Sequence, residues 1–223
     1  AVVGSGAQLN CGFATFDGSS SNYLERNGIG GQSNFTVSVW VRTSNANQGG
    51  FKGVMSNNTG SSTNYSWQLE NHNGTYQIKG KSGNSYVFAI GTPTLNVWEN
   101  IIIRKTGGNN LKVYFNGAQV LNETENPGGL QKFRLGINRN SNNAYAMDLA
   151  NVRIFNSVED QAALFSAGPF DAVGPPTISC PGDATLECLA DTSPAATGTA
   201  TAVDACGDSV AVVSADSFSA ACG

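Results

Sequence analysis

Phe35-Thr36-Val37-Ser38-Val39-Trp40-Val41 decides the fold. Side chains alternate faces along an extended strand, so a period of two gathers Phe35, Val37, Val39 and Val41 on one apolar face. A helix, with its repeat of 3.6 residues, would scatter these four around its circumference. The same rhythm recurs on the C-terminal side. Tyr65-Ser66-Trp67-Gln68-Leu69 and Tyr76-Gln77-Ile78 flank Asn73-Gly74, a dipeptide suited to the two positive φ angles of a hairpin turn. Tyr86, Phe88 and Ile90 alternate in turn. Residues 98–105 read as a strand, 106–110 as a turn and 111–115 as the return strand, with Asn116-Gly117 as a second hairpin turn into 118–121. Residues 133–136 and 149–155 add two more strands. The one convincing helix spans 157–167, with Asn156 or Ser157 as its cap and Gly168-Pro169 as its stop. Regular strands with a single short helix predict an all-β sandwich rather than a βαβ fold.

Composition divides the chain. Residues 1–170 hold all 12 Lys and Arg and 9 of the 16 acids, for a charge of +3, whereas residues 171–223 hold 7 acids and no base, for −7. This split predicts two domains: 1–169, a Pro/Gly linker over 170–176, and 177–223. The absence of a basic stripe argues against a nucleic-acid partner. No run of about 18 apolar residues exists, so no membrane-spanning helix is expected. The chain opens at Ala1 without Met, which suggests a processed, mature N-terminus. Cys180, Cys188, Cys206 and Cys222 crowd the acidic segment and are the disulfide candidates, because zinc sites poor in His need Cys-x-x-Cys pairs and none occurs. Their pairing stays open among three connectivities. Disulfides place the protein in an oxidising, extracellular setting. Cys11, alone in the first domain, reads as a buried free thiol unless it pairs with the C-terminal segment.

Phe16-Asp17-Gly18-Ser19, Tyr23-Leu24, the strand at Phe35, residues 98–117, Leu135-Gly136, Val152-Arg153-Ile154-Phe155-Asn156 and Ala167-Gly168-Pro169 together resemble the laminin-G-like, concanavalin A-like lectin domain family over about residues 8–169. The resemblance implies a jelly-roll β-sandwich of two curved antiparallel sheets with one short C-terminal helix. It further implies carbohydrate binding or cell adhesion, and in many members a structural Ca2+. The family's acid before the closing strand falls at Ala150 in this chain, so Asp148, two residues earlier on the same strand face, and Asp17 are the candidate calcium ligands. The second segment (Pro175-Pro176-Thr177-Ile178-Ser179-Cys180-Pro181, Glu187-Cys188, Asp204-Ala205-Cys206-Gly207) resembles the start of a hyalin-repeat-like, immunoglobulin-type domain. Such a partial sandwich leaves strand edges unpaired. The expectation is that the polypeptide continues past Gly223, or that a second copy completes it by strand addition.

Sugar hydrolysis requires a pair of facing carboxylates. Glu123 and Glu125 share the spacing i, i+2, but sit in a polar loop before Pro127, and His72 beside Asn73-Gly74 has no Asp or Cys nearby in sequence. No catalytic residues are therefore assigned and the chain is read as no enzyme. Sugar binding uses aromatic faces with amide and guanidinium donors. The loop at Asn138, Arg139, Asn142, Asn143 and Tyr145 is the candidate ligand site. The expected partner is a glycan or an extracellular protein, with the chain a module of a multidomain surface protein or an accessory module of a polysaccharide-degrading enzyme. The alternative is a filament subunit joined through residues 177–223.

Overall fold

A computed structural model of the chain describes residues 2–3, 8–10, 12–27, 29, 33–57, 64–170, 177–183, 185–187, 190–203 and 209–213. Two compact units result, residues 1–171 and 172–223.

The strands of the first unit are β1 (Val2–Val3), β2 (Gln8–Asn10), β3 (Phe13–Asp17), β4 (Tyr23–Asn27), β5 (Phe35–Arg42), β6 (Lys52–Asn57) and β7 (Trp67–His72). After these come β8 (Thr75–Ser82), β9 (Asn84–Gly91), β10 (Glu99–Lys105), β11 (Leu111–Phe115), β12 (Ala118–Glu123), β13 (Lys132–Leu135) and β14 (Ala146–Phe155). They form two seven-stranded antiparallel sheets. The first runs β1-β4-β13-β6-β7-β8-β9 and the second β12-β11-β10-β5-β14-β3-β2. The sheets stack as a jelly-roll-like sandwich. Phe35, Val37, Val39 and Val41 of β5 are fully buried and meet Val54, Met55, Trp67, Leu69, Tyr76 and Ile78 of the facing sheet. Phe35 stacks on Trp67 with centroids 6.3 Å apart. Both Asn-Gly turns carry positive φ at both positions, 51° and 88° at Asn73-Gly74 and 48° and 81° at Asn116-Gly117, as the hairpin reading requires.

The opposite face of β5 is also closed. Thr36, Ser38 and Trp40 are buried because the segment after β14 folds back over the second sheet. Thr36 donates to the Ser157 carbonyl at 2.9 Å and accepts from the Glu159 amide at 3.0 Å. Trp40 stacks on Phe165 at 5.6 Å. The helix α1 (Gln161–Ser166) begins four residues later than the sequence suggested. Its cap is Asp160, whose carboxylate accepts the Ala162 N–H at 2.8 Å, rather than Asn156 or Ser157. Ser157 and Glu159 instead bond to Thr36, and the Glu159 carbonyl also accepts from Arg104.

The second unit contains β15 (Thr177–Ser179), a short helix α2 (Pro194–Thr197), β16 (Thr201–Val203) and β17 (Ser209–Val210), in a three-stranded antiparallel sheet of order β15-β16-β17. Among its described residues only Ala202 is buried. Cys180 is exposed with a free thiol, while Cys11, Cys188, Cys206 and Cys222 lie outside the described residues. Among the described residues no helix is long and apolar enough to cross a membrane.

Candidate functional site

The site lies on the outer face of the first sheet. Alternation sends Trp67 and Leu69 of β7 and Tyr76 and Ile78 of β8 into the core, so Gln68, Glu70, Gln77 and Lys79 point outward. Gln68 pairs with Lys79 in register, and Glu70 with Gln77. A loop between β13 and β14 roofs part of this polar face. Gly53 makes the approach possible: a Cβ there would fall 2.1 Å from the Asn138 backbone N and 2.2 Å from the Ile137 carbonyl carbon.

Asn138 organises the loop. Its Oδ1 accepts from the backbone amides of Asn142 and Asn143 at 3.1 and 3.4 Å, and its Nδ2 donates to Asn142 Oδ1 at 2.9 Å. Arg139 ties the loop to the sheet. Its amide donates to Gln68 Oε1 at 3.1 Å, and its Nη1 donates to the carbonyl and hydroxyl of Ser66 at 3.3 and 3.1 Å. Burial lowers the Arg139 pKa, while the charge of Glu70 works to raise it. Glu70 itself is fully buried and accepts from the side-chain amides of Gln68 and Gln77.

Beside the loop an open cavity of about 330 Å³ remains, which falls in the size range of small-molecule sites. The sheet side contributes Phe51, Gln68 and Lys79, and the loop contributes Asn138, Arg139, Asn140, Asn142 and Asn143. Phe51 is 44% exposed and held at φ 62°, a left-handed conformation uncommon for a bulky residue. Its N–H donates to His72 Nδ1 at 3.3 Å, its ring meets the imidazole edge-on at 4.6 Å, and Lys79 Nζ stands 4.5 Å from its centroid.

The structure thus brings Asn138, Arg139, Asn142 and Asn143 around one cavity. Tyr145 departs from the expectation. It is fully buried, packs edge-on against Tyr76 at 6.5 Å and donates to the Asn45 carbonyl at 3.4 Å. Its ring is more stable in the sandwich core than in the loop. Phe51, Gln68 and Lys79 were missed by the sequence reading. The only signal for Phe51 is an aromatic after Gly49-Gly50 outside any alternating run.

Asp17 and Asp148 sit near each other on adjacent strands of the second sheet, where Asp17 pairs with Ala146 and Asp148 with Thr15. Asp17 accepts from the Asn22 amide at 2.7 Å and the Ser19 N–H at 2.8 Å, and these bonds lower its pKa. Asp148 accepts from the Thr15 hydroxyl at 2.8 Å and from Arg42 Nε and Nη2 at 3.0 and 2.7 Å. The donor set does not fit a calcium ion. Calcium seeks six to eight oxygens, and here a guanidinium stands against one of the two carboxylates. Among the described residues no group of three or more His, Cys, Asp or Glu side chains gathers as a metal site.

A family model described as the concanavalin A-like lectin/glucanases superfamily matches residues 16–164. The match stops there, and the hyalin-repeat-like reading of 177–223 receives no support. Domain 4 of AbnA, a GH43 extracellular arabinanase from Geobacillus stearothermophilus solved with arabinotriose, superposes with TM-score 0.56 at 15% identity, over 69% of this chain and 75% of that one. The ligand-binding domain of botulinum neurotoxin serotype D, solved with N-acetylneuraminic acid, gives TM-score 0.57 at 17% identity, over 74% of this chain and 45% of that one. The binding domain of botulinum neurotoxin DC, solved with rat synaptotagmin II, gives 0.55 at 14%, over 75% and 46%. This chain therefore spans less than half of those toxin domains. No significant match is found among curated protein sequences.

Proposed function

The chain belongs to the concanavalin A-like lectin/glucanases superfamily, and from that premise we propose that its first unit is a carbohydrate-binding module whose ligand occupies the cavity beside Phe51. One observation carries the reading: a half-exposed aromatic ring is clamped at the rim of a cavity otherwise lined by amides and two cations. A pyranose presents an apolar face that packs on such a ring and a rim of hydroxyls that hydrogen-bond to amide and guanidinium groups. The likeness to domains solved with arabinotriose and with N-acetylneuraminic acid supports the reading at the level of the fold. The lining residues include no Asp or Glu, whereas glycoside hydrolysis uses two carboxylates across the bond. The role proposed for this cavity is binding, in a module that serves an extracellular surface protein or a secreted polysaccharide-degrading enzyme.

A glycan array on the full chain tests this, followed by calorimetry with the best ligand. Phe51→Ala is expected to weaken that ligand roughly tenfold with an unchanged circular-dichroism spectrum. An affinity unaffected by the substitution sinks the assignment of the cavity.

A filament subunit is a second reading, favoured by the exposure of Ile178, Val203 and Val210 on β15, β16 and β17. Sedimentation of the full chain across a concentration series decides it, since a monomer throughout rules it out.

A further inference from the structure

The lining of the cavity is unequal in charge. Lys79 and Arg139 contribute two cations, five amide side chains surround them, and no carboxylate reaches the surface. The nearest acid, Glu70, is fully buried, with its oxygens held by Gln68 and Gln77. It balances the guanidinium from below without presenting an anion to a ligand. Arg139 is 3% exposed and fixed through Ser66, so its orientation is set before anything binds. Lys79 Nζ stands 4.5 Å from the Phe51 ring centroid, so an ammonium and an aromatic ring lie side by side in the cavity lining.

We propose that this cavity selects a sugar bearing a carboxylate, with Lys79 and Arg139 facing the carboxylate and Phe51 the apolar ring face. The proposal rests on the carbohydrate-binding reading of the same cavity and adds the ligand class. A neutral sugar uses only the amides and the ring. An acidic one adds charge-assisted hydrogen bonds, which are about twice as strong as neutral ones, in a partly desolvated setting. Burial of Glu70 is what makes the selection possible, because an exposed carboxylate at that position would repel the same ligand.

Four probes test it on the full chain by calorimetry: trigalacturonate against galactotriose, and sialyllactose against lactose. The first pair represents uronic acids within a polymer and the second a terminal acidic sugar. One acidic probe is expected to bind at least tenfold more tightly than its neutral counterpart at low salt. The ratio should shrink as ionic strength rises and in Lys79→Gln, and return in Lys79→Arg. Equal or tighter binding of the neutral probes overturns the selection while leaving the carbohydrate reading intact. Binding of none of the four overturns it as well, and the glycan array then decides separately whether the parent reading survives.

Discussion

Arg134, 3% exposed on β13, donates from Nε to Glu25 at 2.8 Å across the β4–β13 pair, and Lys132 Nζ lies 3.3 Å from the same carboxylate. Burial works to raise the Glu25 pKa, but the bonds from Arg134 and Lys132 outweigh it and the value falls below the ordinary glutamate range. A carboxyl whose folded pKa is depressed stabilises the fold above its unfolded pKa, about 4.3, and loses that contribution as pH falls through the folded value. Glu25→Gln is therefore expected to lower the unfolding midpoint at pH 7 and to converge with the parent protein near pH 2, as read by thermal denaturation across pH. Parallel pH curves for the two proteins would contradict the linkage. Legibility at this scale was uneven. The loop residues Asn138, Arg139, Asn142 and Asn143 stood out as a polar run, but the partners that give them a cavity, Gln68 and Lys79, were masked by alternation. Every second residue of a half-buried strand is polar, and only the fold tells which of these face a ligand.

At the scale of elements, the loop over residues 137–143 and strand β6 depend on one another through Gly53. A methyl group there would meet backbone atoms, which have less freedom to yield than the end of a side chain. Gly53→Ala is expected to cost about 1–3 kcal/mol, with a fall in Tm of about 2–4 °C for each kcal/mol, and to abolish ligand binding by lifting the loop. Retained binding at unchanged Tm would show that the loop is not seated by that contact. The strands and both Asn-Gly hairpins were legible because period and turn chemistry are local signals. The start of α1 was not. Asn156, Ser157 and Asp160 all have capping side chains, and the choice fell to Asp160 because Thr36, more than 100 residues away in sequence, binds the segment before it. The partner that covers Trp40, Phe165, was hidden for the same reason, since a strand's pattern does not reveal what later folds over its second face.

For the whole molecule, the forces that hold the two compact units differ. The first unit stands on a continuous apolar core between two sheets. Among the described residues of the second, three short strands surround little buried apolar surface. The proposed function puts the glycan on the outer face of the first unit's first sheet, between Phe51 and the loop over β7. An amide chemical-shift titration of the isotope-labelled full chain with the best array ligand tests this most directly. The account predicts saturable shifts concentrated at Phe51, Gln68, Lys79 and residues 138–143. Shifts clustered instead around Arg42 and Asp148 on the opposite sheet, or at the open ends of the sandwich, would contradict it.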